Sequence, residues 1–258
     1  MLTARWSRKR VMSSMQLDER KNRILQAIIE SYISTGEPVG SRTLSKLDDL
    51  QLSPATIRNE MSDLEEMGLL EQPHVSAGRI PSDKGYRYYV ENIMPRPLAV
   101  RDEMQEMQDL KNLIAEKSEQ VHGLIREIAE LYTRLINYTV FALPPEFSDE
   151  IVLRGMTNFL NFPEYNNIAK ARRILEFLDN SSNLVAALPE STEKMNIIIG
   201  KENLAEEIQD CSVITASYRT KDNRVGTIGI IGPTRMDYSK AVTTLDFLTQ
   251  QLEDWEGT

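Results

Sequence analysis

Hydrophobic residues recur every three or four positions over three short segments near the start of the chain, which predicts three short helices. The first segment, "LDERKNRILQAIIESYIST", is followed by Gly36, a residue type that commonly ends a helix. The second follows a Pro-Val-Gly turn, where Ser41 is a candidate N-cap. The third, "SPATIRNEMSDLEEMGLL", has Ser53 as its N-cap and Pro54 in its first helical position. Tight turns therefore join three helices.

Two short apolar segments, "LLEQP" and "GRIP", follow the third helix and are separated by the loop "HVSA". Pro73 and Pro81 suit the edges of a small hairpin. Three helices followed by a hairpin is the order of a winged helix-turn-helix domain. The pattern predicts such a domain over residues 16–94, preceded by a basic, disordered tail over residues 1–15.

Between residues 95 and 138 the apolar positions alternate in steps of three and four, which predicts a long amphipathic helix. Such a helix either forms a dimerisation seam between two copies or packs on its own domain, and the pattern leaves both open. The seam would consist of Met107, Leu110, Ile114, Val121, Leu124, Ile128, Leu131 and Leu135. Residues 139–258 alternate strand-like and helical segments, so we expect a mixed α/β domain there and an α+β chain as a whole.

Composition excludes several classes of protein. With 41% hydrophobic and 27% charged residues, the 258-residue chain has the composition of a folded globular protein. No apolar run approaches the roughly 20 residues that a membrane span needs, so we expect a cytoplasmic protein with no membrane partner. One cysteine and two histidines exclude most Cys/His metal sites, and neither a metal nor a cofactor is expected.

Sequence motifs of enzymes are missing as well. The chain has no P-loop, no dinucleotide-binding fingerprint, no nucleophile elbow and no His-x-x-x-His pair. Cys211 has no histidine near it in sequence, and we interpret it as a buried structural residue. We therefore expect no catalytic residues and no enzymatic activity.

The net charge of −9 argues against a nucleic-acid partner only if the charge is evenly spread. Residues 1–95 carry 13 basic and 13 acidic side chains, and the whole excess of negative charge lies in residues 96–258. Without the first fifteen residues, however, the N-terminal region is itself acidic, with 9 basic against 13 acidic side chains. A DNA-binding function must therefore depend on where individual basic residues point.

The third helix is the candidate DNA-recognition helix, since the N-terminal half of the second helix of a helix-turn-helix enters the major groove. Arg58 can pair with guanine and Asn59 with adenine, whereas the acidic residues come later in the helix. Exposed Arg and Asn side chains are also common without any ligand, so the assignment depends on the helix-turn-helix context. The candidate DNA-binding residues, including two that flank the predicted wing turn, are Arg42, Thr43, Ser53, Thr56, Arg58, Asn59, His74, Arg79 and Lys84.

Several longer motifs occur in one order: "GEPVGSRTL", "SPATIRNEMSDLEEMGLLEQPHVSAGRIPSDKGYRYYV", "IIIGKEN", "CSVITASY" and "GTIGIIGPTRMDY". Together they resemble the HrcA family of bacterial heat-inducible transcription repressors. The resemblance implies a dimeric repressor that binds an inverted-repeat operator in front of chaperone genes, with an activity supported by the chaperonin. It also implies that the C-terminal domain is GAF-like and carries an inserted dimerising domain.

This chain departs from the family pattern in the middle. Members of the family carry a long segment between the "NYT" and "GMTNFLNFPE" motifs, whereas only "FALPPEFSD" separates them here. We therefore expect a shortened GAF-like domain over residues 139–258, with dimerisation through the seam described above. The alternative function is a small-molecule-sensing winged-helix regulator with a ligand pocket in the GAF-like domain, which rests on analogy of fold. Gly226, Gly229 and Gly232 have the simpler interpretation of close packing in a strand.

Overall fold

The computed structural model describes residues 16–47, 50–94, 112, 121–145, 151–188, 193–220 and 223–254. These residues form two compact units, which we describe separately. The first is built from residues 16–94 together with Thr234–Asp237, and the second from the other described residues between 112 and 254. The predicted tail and the seam residues Met107, Leu110 and Ile114 lie outside the described residues, as do the side chains of Val121 and Leu124.

The first unit is a winged helix, as the hydrophobic pattern predicts. Its elements are α1 (Glu19–Thr35), α2 (Ser41–Leu44), α3 (Pro54–Glu66), β1 (Leu70–Glu71), β2 (Ile80–Pro81), α4 (Asp83–Tyr88) and a π-helical turn (Tyr89–Ile93). Gly36 ends α1 in the left-handed conformation, at φ 70°. Strands β1 and β2 pair antiparallel, with Leu70 opposite Pro81, and form the base of the wing.

The core of the first unit lies between α1, α2 and α3. Apolar side chains spaced by three and four residues along α1 and α3 meet there with little or no exposed surface. They are Ile24, Leu25, Ile28, Ile29, Leu44, Ile57, Met61 and Leu64. Burying one such side chain contributes about 1.5–3 kcal/mol to stability, so these contacts dominate the packing of the domain.

The second unit contains a five-stranded sheet with helices on both sides. Its elements are α5 (Val121–Ile136), β3 (Thr139–Leu143), β4 (Val152–Arg154), α6 (Ile168–Asp179), α7 (Ser181–Ala187), β5 (Met195–Ile199), β6 (Cys211–Arg219), β7 (Val225–Pro233) and α8 (Tyr238–Asp254). Every pairing is antiparallel, in the order β4-β3-β7-β6-β5. None of the described helices is long and apolar enough to cross a membrane.

Alternate residues of β6 face opposite sides of the sheet. Cys211 and Val213 pack in one apolar cluster with α6 and with two preceding 3-10 helices, Met156–Asn161 and Pro163–Tyr165. On the other side, the hydroxyl groups of Ser212 and Tyr238, at the start of α8, form a hydrogen bond of 2.7 Å. The sheet is thus a central layer that both helical layers depend on.

Helix α5 packs on its own domain. Ile128 is fully buried, and the Tyr132 hydroxyl donates a hydrogen bond of 3.0 Å to the carbonyl oxygen of Ala241 in α8. A side chain without exposed surface in its own domain offers none to a second copy, so the structure favours packing of Ile128 on its own domain over a place in a dimerisation seam. Leu131 and Leu135 are half-buried.

The glycines of β7 accommodate aromatic rings. A Cβ atom on Gly226 would overlap the ring of Tyr218, and one on Gly229 would overlap the ring of Phe141. The absence of a side chain at these positions therefore leaves the space that the two rings occupy. Close packing is a sufficient explanation of these two glycines, without a ligand.

Candidate nucleic-acid interface

The rotation of α3 about its axis is fixed by what packs against each of its sides. Successive residues of a helix are turned by about 100°. Ile57, Met61 and Leu64 face the core of the domain. The remaining residues therefore divide into a flank toward α1, a flank toward the wing and an outer side.

On the flank toward α1, carboxylates of α3 are bonded to basic residues of α1. The Lys21 ammonium lies 2.7 Å from Glu60 and 3.1 Å from Asp63, and Arg20 lies 3.3 Å from Glu60. These bonds, that to Glu60 most of all, raise the pKa of Lys21 above its usual value, so the side chain stays charged. Two of the acidic residues of α3 are thereby paired within the domain.

On the flank toward the wing, Arg79 binds Glu65. Its Nε donates a hydrogen bond of 2.8 Å to Glu65 Oε2, and a terminal guanidinium nitrogen lies 2.7 Å from the same oxygen. Both side chains are partly buried, at 19% and 33% exposure. The guanidinium is therefore committed to α3, and a third carboxylate of this helix is paired.

The outer side of α3 is polar and exposed. It consists of Ala55, Asn59, Ser62 and Glu66, spaced by four, three and four residues, and we call these four residues the outer stripe. Glu66 lies at the C-terminal end, so the N-terminal part of the outer stripe carries no carboxylate. Such a surface can present an amide and a hydroxyl to the edges of bases.

The two neighbours Arg58 and Asn59 diverge. Asn59 belongs to the outer stripe, whereas Arg58 is turned toward α2 and the wing. From the sequence alone the two residues form one adjacent pair. The direction of each side chain about the helix axis becomes known only when the packing of the helix is known.

The N-terminus of α3 is closed by its cap. The Ser53 hydroxyl oxygen accepts a hydrogen bond of 3.1 Å from the amide of Thr56, and the two hydroxyl groups lie 3.0 Å apart. Both candidate residues therefore stabilise the start of the helix, and the remaining unpaired amides of the first turn point outward along its axis.

The wing is fastened to the turn before α2. Val39 and Arg79 exchange two backbone hydrogen bonds of 2.9 Å. A Cβ atom on Gly78 would overlap the backbone of Val39, so only glycine permits this approach. Within the wing loop, the Gln72 amide donates hydrogen bonds of 3.0 Å to the carbonyl oxygens of Val75 and Ala77.

A concavity of about 350 Å³ lies between α2, α3 and the wing, and we call it the wing concavity. Arg42 and Arg58 line it from α2 and α3, and Arg79 lines it from the wing. Its remaining lining residues are Gly40, Ser41, Met61, Gln72, Ser76, Ala77 and Gly78. No carboxylate is among them, although the domain as a whole is not basic.

The other candidate residues are scattered. Thr43 and His74 are exposed on α2 and in the wing loop. Lys84 donates a hydrogen bond of 2.7 Å to the carbonyl oxygen of Met67, past the C-terminal end of α3. At a rise of 1.5 Å per residue, Met67 lies roughly 20 Å along α3 from its N-cap Ser53, so Lys84 is at the opposite end of the helix. Three further residues take part in this arrangement: Ser62 in the outer stripe, Glu65 as the partner of Arg79, and Gln72 in the wing. Of these, only Ser62 has a sequence signal, which is its helical spacing from Asn59.

The described residues of the second domain include neither an exposed thiol nor a cluster that could bind a metal. The only thiol of the chain, that of Cys211, is buried, and burial raises its pKa to about 12. Over the described ranges, no three His, Cys, Asp or Glu side chains are grouped so that they could hold a metal ion. The wing concavity and the outer stripe are therefore the candidate site.

Comparison with known proteins agrees with this location. Residues 16–95 match the family described as winged helix-turn-helix transcription repressor, HrcA DNA-binding, and residues 90–242 match the HrcA protein C terminal domain. The heat-inducible transcription repressor HrcA of Desulfitobacterium hafniense is 33% identical and is matched over 93% of this chain and 98% of its own. That of Desulforamulus reducens is 34% identical, over 92% and 96%. A crystal structure of a hypothetical protein, 17% identical, has the same fold, with a TM-score of 0.79 over 93% of this chain and 98% of that chain.

The chain is shorter than these relatives. The alignment with the D. hafniense protein spans 338 positions, against 258 residues here, so at least 80 positions of that relative have no counterpart. In the second domain, β3 and β4 pair directly, with Ala142 opposite Val152. The shortened middle of the sequence therefore coincides with two strands that are neighbours in the sheet.

The ion pair between Arg79 and Glu65 yields a prediction for stability. In a double-mutant cycle of Arg79→Ala and Glu65→Ala, we expect a coupling of about 1 kcal/mol, because two guanidinium nitrogens bind one carboxylate oxygen at short distance and both groups are partly buried. Thermal unfolding of the four proteins measures it. Glu66→Ala is the matched control, since this exposed neighbour should show no coupling to Arg79. A coupling near zero for Glu65 would contradict the positioning of the wing by this pair.

Proposed function

The chain belongs to the HrcA family of heat-inducible transcription repressors, and we propose that it represses chaperone genes by binding an inverted-repeat operator as a dimer. In this proposal α3 lies in the major groove with its N-terminal half toward the bases. We further propose that the chaperonin modulates this activity, so that repression is lost when unfolded protein occupies the chaperonin. The protein acts in the cytoplasm, where its DNA is.

One observation carries the DNA-binding part of the proposal: the N-terminal part of the outer stripe, which would meet DNA, has no carboxylate. Glu60, Asp63 and Glu65 are each bonded to a basic residue on a flank of the helix. The outer stripe begins with Ala55 and Asn59, which repel no phosphate. The helix can therefore approach a polyanion in spite of its many carboxylates.

Dimerisation follows from the symmetry of the proposed operator. An inverted repeat has a two-fold axis, and a two-fold symmetric dimer presents α3 twice in the matching orientation. The half-sites are then separated by about 10 base pairs, or by a multiple of this spacing, so that both helices enter grooves on one side of the duplex. Leu131 and Leu135 on α5 remain candidates for the contact between copies because they are not fully buried.

Asn59 is expected to contact a base. Asn59→Ala should lower the affinity for the operator by about 1–3 kcal/mol and relax the preference at one base position, since an amide pairs best with adenine. The measurement is binding-site selection from random duplexes with the full chain, followed by anisotropy titrations with single-base variants. Glu71→Gln, an exposed change on β1, is the control. Unchanged preference in Asn59→Ala would contradict the proposed orientation of α3.

The chaperonin part of the proposal predicts recovery of binding. After the protein is heated until operator binding is lost, addition of chaperonin with ATP should restore binding, and an excess of an unrelated unfolded protein should prevent the recovery. Gel-shift assays of heated and unheated protein measure both effects. Recovery at the same rate without chaperonin would contradict this part and leave DNA binding untouched.

A further inference from the structure

Basic side chains of the first domain are used in two ways. Those of Arg20, Lys21 and Arg79 are bonded to carboxylates of α3, and that of Lys84 to the backbone carbonyl of Met67, just past the end of α3. Within the described residues, by contrast, neither an ion pair nor a side-chain hydrogen bond holds the cationic groups of Arg23, Arg42, Lys46 and Arg58. Of these four, Arg42 and Arg58 line the wing concavity. Two uncommitted positive charges therefore converge on one surface depression.

The lining of the wing concavity suits an anion. It includes two serines, Ser41 and Ser76, and two glycines, Gly40 and Gly78, with no acidic residue. A guanidinium group is planar, and its N–H groups can donate two parallel hydrogen bonds to the two free oxygens of a phosphodiester. Its positive charge is delocalised over the whole group. At about 350 Å³ the concavity has room for a sugar-phosphate unit rather than for a bare ion alone.

The walls of the wing concavity are fixed before any ligand arrives. The bonds between Arg79 and Glu65, and between the backbones of Arg79 and Val39, hold the wing against α3 and the turn before α2. Because Glu65 compensates its charge, Arg79 acts here as a positioning residue. Binding then orders few additional groups, which favours affinity.

The wing concavity also lies on the correct side of α3. Arg58 is turned by about 100° from Asn59, toward α2 and the wing and away from the outer stripe. When a helix occupies the major groove, its outer side meets the bases and its flanks meet the backbones that border the groove. A residue on the wing flank is therefore placed for a phosphate.

We infer that the wing concavity is a phosphodiester-binding site in which Arg42 and Arg58 together hold a backbone phosphate. Base preference then belongs to the outer stripe, to Asn59 and Ser62 in particular, and Arg58 contributes affinity without sequence information. This assignment replaces the expectation that Arg58 contacts guanine. It rests on the proposed binding of duplex DNA and adds the site that holds the backbone.

Salt dependence separates a phosphate contact from a base contact. The full chain is titrated at several salt concentrations with the selected inverted-repeat duplex and with an unrelated duplex of equal length. Arg42→Gln and Arg58→Gln should each lower the affinity for both duplexes by the same factor, roughly tenfold. The slope of log affinity against log salt should fall by about 0.9 for one lost phosphate.

Matched variants control for charge and folding. Arg58→Lys keeps the charge and should keep the salt slope while losing part of the affinity. Arg172→Gln removes one exposed positive charge from α6 of the second domain and should leave the slope unchanged. Circular dichroism and the melting temperature show whether each variant is folded.

The outcomes distinguish failure of the phosphate site from failure of the proposed repressor function. A change of preference at one base position in Arg58→Gln, or an unchanged salt slope in both Gln variants, overturns the phosphate site while the repressor function stands. If the wild type binds both duplexes equally, the sequence-specific function fails, and the reduced slope on the unrelated duplex still supports the site. If the wild type binds neither duplex, both are overturned.

Discussion

The burial of three apolar side chains of α3 is the constraint on which the DNA-binding surface depends. Ile57, Met61 and Leu64 are at most 5% exposed, and they leave the helix only one rotation that keeps them out of water. Every other position of α3 is assigned a side by this rotation. A helix turned by one residue would expose the core and at the same time move Asn59 off the outer side, so packing and recognition are set by the same contacts.

The distribution of charge follows from that rotation. α3 is rich in carboxylates, and the domain is not basic, which would disfavour a nucleic-acid partner if charges were merely counted. Instead, Glu60 and Asp63 meet Lys21, and Glu65 meets Arg79, on the two flanks. Each of these pairs also ties α3 to a neighbouring element. The carboxylates thus stabilise the domain through ion pairs, while Arg42 and Arg58 line the wing concavity at the surface.

Local features of this chain could be predicted from sequence, and tertiary ones could not. The end of α1 at Gly36 and the start of α3 at Ser53 follow from rules that involve only a few neighbouring residues. The partner of Arg79 does not, because Glu65 is fourteen positions away and is brought near by the hairpin. Ile128 is a similar case, since a seam and a core give the same periodicity.

The central claim is that the outer stripe of α3 faces the bases, and site-specific photo-crosslinking tests it most directly. A photoreactive amino acid is placed at position 59 and, as a control, at position 183, an exposed site of the second domain. The full chain is then irradiated on the selected inverted-repeat duplex. The structure predicts crosslinks from position 59 to bases within each half-site and none from position 183. Crosslinks from position 59 only outside the half-sites, or none at all in a complex that forms normally, would contradict it.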